Sequence, residues 1–99
     1  MEKKAYIEKL EADLKEWSSR IGELAAKAEQ VKEEKKREYR EQMEMLRAKQ
    51  EAARKKLHEL KKASGKAWED LKTGVDRAWD ELRLAVHKAG EQFKKEQEK

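Results

Sequence analysis

Between Val31 and Tyr39 the chain reads VKEEKKREY, and the fold turns on the seven residues KEEKKRE (32–38). If a helix runs straight through them, the N-terminal third projects as an arm. If the chain reverses there, three helices can pack side by side. On the N-terminal side, Ile7, Leu10, Leu14, Trp17, Ile21, Leu24, Ala28 and Val31 follow one another at spacings of three and four without a miss. That rhythm keeps a narrow apolar stripe on one helix face, as in a coiled coil. Continued past Val31, the heptad lands on Lys35 and Glu38. A new seam then starts at Tyr39 and runs through Met43, Leu46, Gln50, Ala53, Leu57 and Leu60, one residue out of phase. KEEKKRE contains no Gly, Pro, Asn or Asp, so it lacks turn chemistry, and its residues are good helix formers. The expectation is a continuous helix with a phase change. A turn at this point, giving a three-helix bundle, is the alternative.

The next interruption is better marked. KKASGK (61–66) combines two lysines, suited to a helix C-terminus, with Gly65, which can supply a left-handed residue. Ser64 is placed to cap a following helix whose first turn carries Glu69 and Asp70. A tight turn is expected at about 63–66. Beyond it the period changes. AWEDLKTGVDR (67–77) aligns without gaps on AWDELRLAVHK (78–88), and AGEQFKKEQEK (89–99) is a decayed third copy with Phe93 in the leucine position. An 11-residue repeat corresponds to about 3.67 residues per turn. It puts Trp68, Leu71, Val75, Trp79, Leu82, Val86 and Phe93 on one stripe roughly 120° wide.

Together these readings predict an all-α, long-helix coiled-coil hairpin: a helix over about 3–62, a turn at about 63–66 and a helix over about 67–95. Residues 35–99 form the hairpin. Its expected core joins Tyr39, Met43, Leu46, Leu57 and Leu60 to Trp68, Leu71, Val75, Trp79, Leu82, Val86 and Phe93. Each tryptophan buries about 150–250 Å², worth at most roughly 4–6 kcal/mol at about 25 cal/mol per Å². Residues 1–34 are the arm, projecting about 50 Å at about 1.5 Å per residue. An exposed heptad seam needs a partner. Ile7, Leu10, Leu14, Trp17, Ile21, Leu24 and Val31 are therefore expected to mediate self-association into a homo-oligomer.

Composition agrees with long helices and narrows the function. The 99 residues are 48% charged and 36% hydrophobic, with mean hydropathy −1.30, no proline and no cysteine. Such a chain has too little apolar material for a thick core, and no disulfide or thiolate site is available to it. MEKKAYIEKLEADL (1–14) has no apolar run resembling a signal peptide. No stretch approaches the roughly 18 apolar residues of a spanning helix. The expected location is cytoplasmic. The net charge of +4 is uneven: residues 1–34 carry 7 basic and 9 acidic side chains, residues 35–63 carry 11 and 5, and residues 64–99 carry 8 and 8.

The only histidines, His58 and His87, belong to no HExxH or ExxH pair, and Ser18, Ser19 and Ser64 have no base nearby in sequence. No glycine-rich phosphate loop is present. Hence no catalytic residue, metal site, cofactor or small-molecule substrate is expected. The basic middle third could neutralise phosphates, but glutamates interrupt its lysines and only Tyr39 supplies an aromatic ring, which argues against a nucleic-acid partner. An anionic membrane surface fits better, because residues 67–93 offer a wide apolar face with tryptophan and phenylalanine. That face and the basic segment nevertheless lie on different helices.

The stretches KLEADLKEW (9–17), EYREQMEMLRAK (38–49) and ASGKAWEDLKTGVDRAWDEL (63–82) resemble a family of small bacterial coiled-coil proteins associated with stress response. Some of these are labelled apolipoprotein-like for their 11-residue repeats. Leu10, Leu14, Trp17, Tyr39, Leu57, Leu60, Ser64, Gly65, Trp68, Leu71, Trp79 and Leu82 carry the likeness, which covers about residues 4–90 and is most specific at ASGKAWEDLK. The resemblance implies a stress-linked, non-enzymatic protein and transfers no catalytic or binding residue. The expected function is thus a structural or protective coiled coil acting by self-assembly or protein–protein contact. Peripheral lipid binding is the alternative.

Overall fold

A computed structural model describes residues 3–97. Its elements are α1 (Lys3–Ala28), α2 (Glu33–Lys62) and α3 (Gly65–Gln97), packed up, down and up as an elongated three-helix bundle measuring 51 × 19 × 16 Å. Residues 1, 2, 98 and 99, at the outer limits of the two expected domains, lie outside the described residues.

The chain is therefore not a two-helix hairpin with a projecting arm. The helix expected over about 3–62 is two helices, and the whole molecule is no longer than α3, whose 33 residues span about 50 Å. The break comes just before the acidic and basic run, at residues 29–32. Its means are inconspicuous. The last turn of α1 tightens through Glu29 N–H to Ala26 O (3.3 Å) and Gln30 N–H to Lys27 O (2.9 Å). Lys32 then opens α2 in an extended conformation (φ −59°, ψ 145°) without any side-chain cap. Glu33 and Glu34 supply negative charge to the exposed N–H groups of the first turn instead.

The physical reason for the reversal lies in the width of the stripe on α3. A single antiparallel neighbour covers one flank of a 120° face, and α2 leaves the other flank open. α1 fills that flank, which buries its own seam at the same time. Leu10, Leu14, Trp17, Ile21, Leu24 and Ala28 are all buried, and Ile7 and Val31 are half-buried against the same core.

The second joint is closer to expectation. α2 ends at Lys62, Ala63 is extended with its N–H on Leu60 O (3.1 Å), and α3 begins at Gly65. The joint is thus residues 63–64 rather than 63–66. Gly65 adopts φ +59°, the one positive φ among the described residues, a conformation that glycine adopts without a Cβ penalty.

Candidate interaction surfaces

Every expected core residue of the 35–99 segment meets the central core. Tyr39, Met43, Leu46, Leu57, Leu60, Val75, Trp79, Leu82, Val86 and Phe93 are buried, while Trp68 and Leu71 are half-buried at the α2–α3 end. Ala53 and Ala89 join them, and so does Tyr6, which the heptad count passes over because Ile7 fits the seam better. The signal for Tyr6 was its position four residues before Leu10, on the same face.

Three aromatic pairs hold the bundle along its length. Tyr6 meets Trp68 edge-on at 5.7 Å, Trp17 meets Trp79 at 6.2 Å, and Tyr39 lies 4.4 Å from Phe93. Two of the three join α1 to α3, so the tryptophans of the repeat pack against rings of α1. The Trp79 indole N–H is buried without a protein partner, a desolvation cost of about 1–3 kcal/mol set against the gain from burying the ring.

At the Tyr6 end, the Tyr6 hydroxyl donates to the Asp76 carboxylate. Lys3 donates to Ala63 O and sits 5.0 Å over the Trp68 ring, and Lys72 sits 5.1 Å over the Tyr6 ring. Burial, then the bond to Asp76 and its negative charge, push the Tyr6 hydroxyl well above its ordinary value of 10.

Along the α1–α2 contact, Lys61 pairs with Glu11 at 3.2 Å, Gln50 donates to Ser18 and Arg40 pairs with Glu29 at 3.2 Å. The basic excess of the middle third thus meets acidic residues of the same chain at both ends of this contact. Arg40 holds the Glu29 carboxyl below the usual range.

Open grooves run between the helices. One lies between α1 and α3, about 520 Å³, where His87, Glu16, Glu23 and Lys27 stand around Leu24 and Val86. A groove of about 360 Å³ between α2 and α3 exposes Met45 beside Ala85, rimmed by Glu38, Glu41, Lys49 and Lys88. Among the described residues no three His, Asp or Glu side chains are grouped as metal ligands, and no helix is long and apolar enough to cross a membrane. No family model matches the chain, and neither a curated protein nor a solved structure matches it significantly.

Proposed function

We propose that the chain is a non-enzymatic, cytoplasmic protective protein of the stress response, acting by self-assembly and by contact with other proteins. The observation that carries this reading is that the acids and bases lining the grooves are all open to water. No polar or charged residue is buried among those described, and the acids and bases stand on solvated faces. Catalysis needs converging groups in a water-excluding pocket, whereas contact needs only a stable scaffold with a patterned surface. The stress association is supported by the resemblance at ASGKAWEDLK alone.

Heat-induced aggregation of an unrelated enzyme, followed by light scattering, tests the protective part. Equimolar protein should suppress it. Undiminished aggregation at about tenfold excess would refute protection.

A second reading, peripheral lipid binding, draws on α3, whose repeated stripe carries Trp68, Trp79 and Phe93. All three pack inward, so lipid would gain this face only if the bundle opened. Tryptophan emission separates the two readings. Under the first it is blue-shifted without lipid and unchanged by phosphatidylglycerol vesicles. A further shift on adding vesicles would favour the second.

A further inference from the structure

We propose that α1 is an exchangeable arm. Two copies of the chain form a reciprocal dimer in which the 29–32 turn straightens and α1 and α2 become one helix. Each α1 then occupies the place that α1 of the other copy fills in the monomer. This deepens the self-assembly part of the function proposed above by giving its mode.

Three observations carry it. First, nothing in the turn requires a turn. Glu29, Gln30, Val31 and Lys32 are all compatible with helix, none has a positive φ, and the Lys32 side chain makes no capping bond. Straightening gives intrahelical partners to the last carbonyls of α1 and the first N–H groups of α2.

Second, the two buried stripes are in phase through the break. Ala28 is the last buried residue of α1 and Tyr39 the first of α2. They stand 11 residues apart, three turns at about 3.67 residues per turn. In a continuous helix they fall on one face, about 20° apart at about 100° per residue. The seam that changes heptad register at KEEKKRE therefore does not change side.

Third, the exchanged interface is already built. The Trp17–Trp79 and Tyr6–Trp68 pairs and the Glu11–Lys61 ion pair would re-form between copies without repacking, which is the thermodynamic basis of domain swapping. The antiparallel Ser18–Gln50 and Glu29–Arg40 contacts would likewise re-form between copies.

Glu33→Pro separates the two states. In the monomer Glu33 is the first residue of α2, the position that favours proline, and the extended ψ of 145° at Lys32 suits the residue before one. In the straightened helix the same proline is interior. Two copies at about 3 kcal/mol each lower the dimer association constant about 10⁴-fold. Deleting residues 29–32 does the reverse. It shortens the Ala28–Tyr39 spacing from 11 to 7, still one face, and leaves no chain to make the turn.

After refolding at high concentration, size-exclusion chromatography with light scattering should show monomer and dimer for the natural chain. Glu33→Pro should give monomer only, and the deletion dimer only. With Ser18→Cys and Gln50→Cys in a chain that has no other cysteine, a short bismaleimide should give covalent dimers from the dimer fraction and none from the monomer. A dimer that survives Glu33→Pro or cross-links only within chains overturns the exchange but leaves self-assembly by another face standing. A natural chain that stays monomeric overturns both.

Discussion

Ile21→Ala distinguishes a packed third helix from a free arm. Ile21 is 3% exposed in the middle of α1. The substitution removes three carbon groups, about 2.4 kcal/mol of transfer free energy at about 0.8 kcal/mol each. The cavity left behind raises the total into the range of about 2–5 kcal/mol. Against a stability of about 5–15 kcal/mol for a domain of this size, that is a large fraction. Unfolding entropy of about 2.1 cal/mol/K per residue converts the transfer contribution alone into a fall in Tm of about 10–15 °C. Urea unfolding should be followed by far-UV circular dichroism and tryptophan fluorescence at two protein concentrations, beside Leu60→Ala and Leu82→Ala. Those two residues sit at 0% exposure on α2 and α3. All three variants should lose comparable stability with unchanged m-values. If Ile21→Ala left the transition in place while the other two lowered it, α1 would not be part of the cooperative core, and the three-helix packing would be wrong.

Further outcomes follow from local chemistry. The Tyr6 hydroxyl is raised above its ordinary value of 10, so its stabilising contribution is complete below that pH and is lost as pH climbs towards the raised value. Tyr6→Phe should therefore be less stable than the natural chain at neutral pH, and the gap should close in alkali. A constant gap from pH 8 to 12 would remove the role assigned to Asp76. Glu29 runs the opposite way. Its carboxyl lies below the ordinary value of 4.5 because Arg40 bonds it, so the pair's contribution is present at neutral pH and lost as the solution is acidified through the lowered value. Glu29→Gln should match the natural chain only at the acid end of a pH series of thermal melts. Gly22 is exposed mid-helix, with open space where a Cβ would stand. Gly22→Ala should add roughly 0.5–1 kcal/mol, read from the urea midpoint; a loss would mean that this face is covered by something larger than water.

Much of the fold was legible in one dimension because helical spacing is local. The seam from Ile7 to Val31, the second seam from Tyr39 to Leu60 and the 11-residue units after Gly65 each reported a helix and its buried face, and Gly65 marked a joint by its need for positive φ. The first joint left no such mark. It is made by residues that are equally content in a helix, closed by backbone hydrogen bonds at Ala26 and Lys27 and an ion pair between Glu29 and Arg40. Spacing identifies which residues are buried, but it cannot say against what. The stripe from Leu10 to Leu24 would look the same facing a second chain or its own α3. What the sequence determined by itself was three amphipathic segments and their apolar sides. Only the tertiary structure decided that α1 folds back onto the flank of α3 that α2 leaves uncovered. That choice is global: it depends on the width of one helix face against the reach of another, and no local run of residues encodes it.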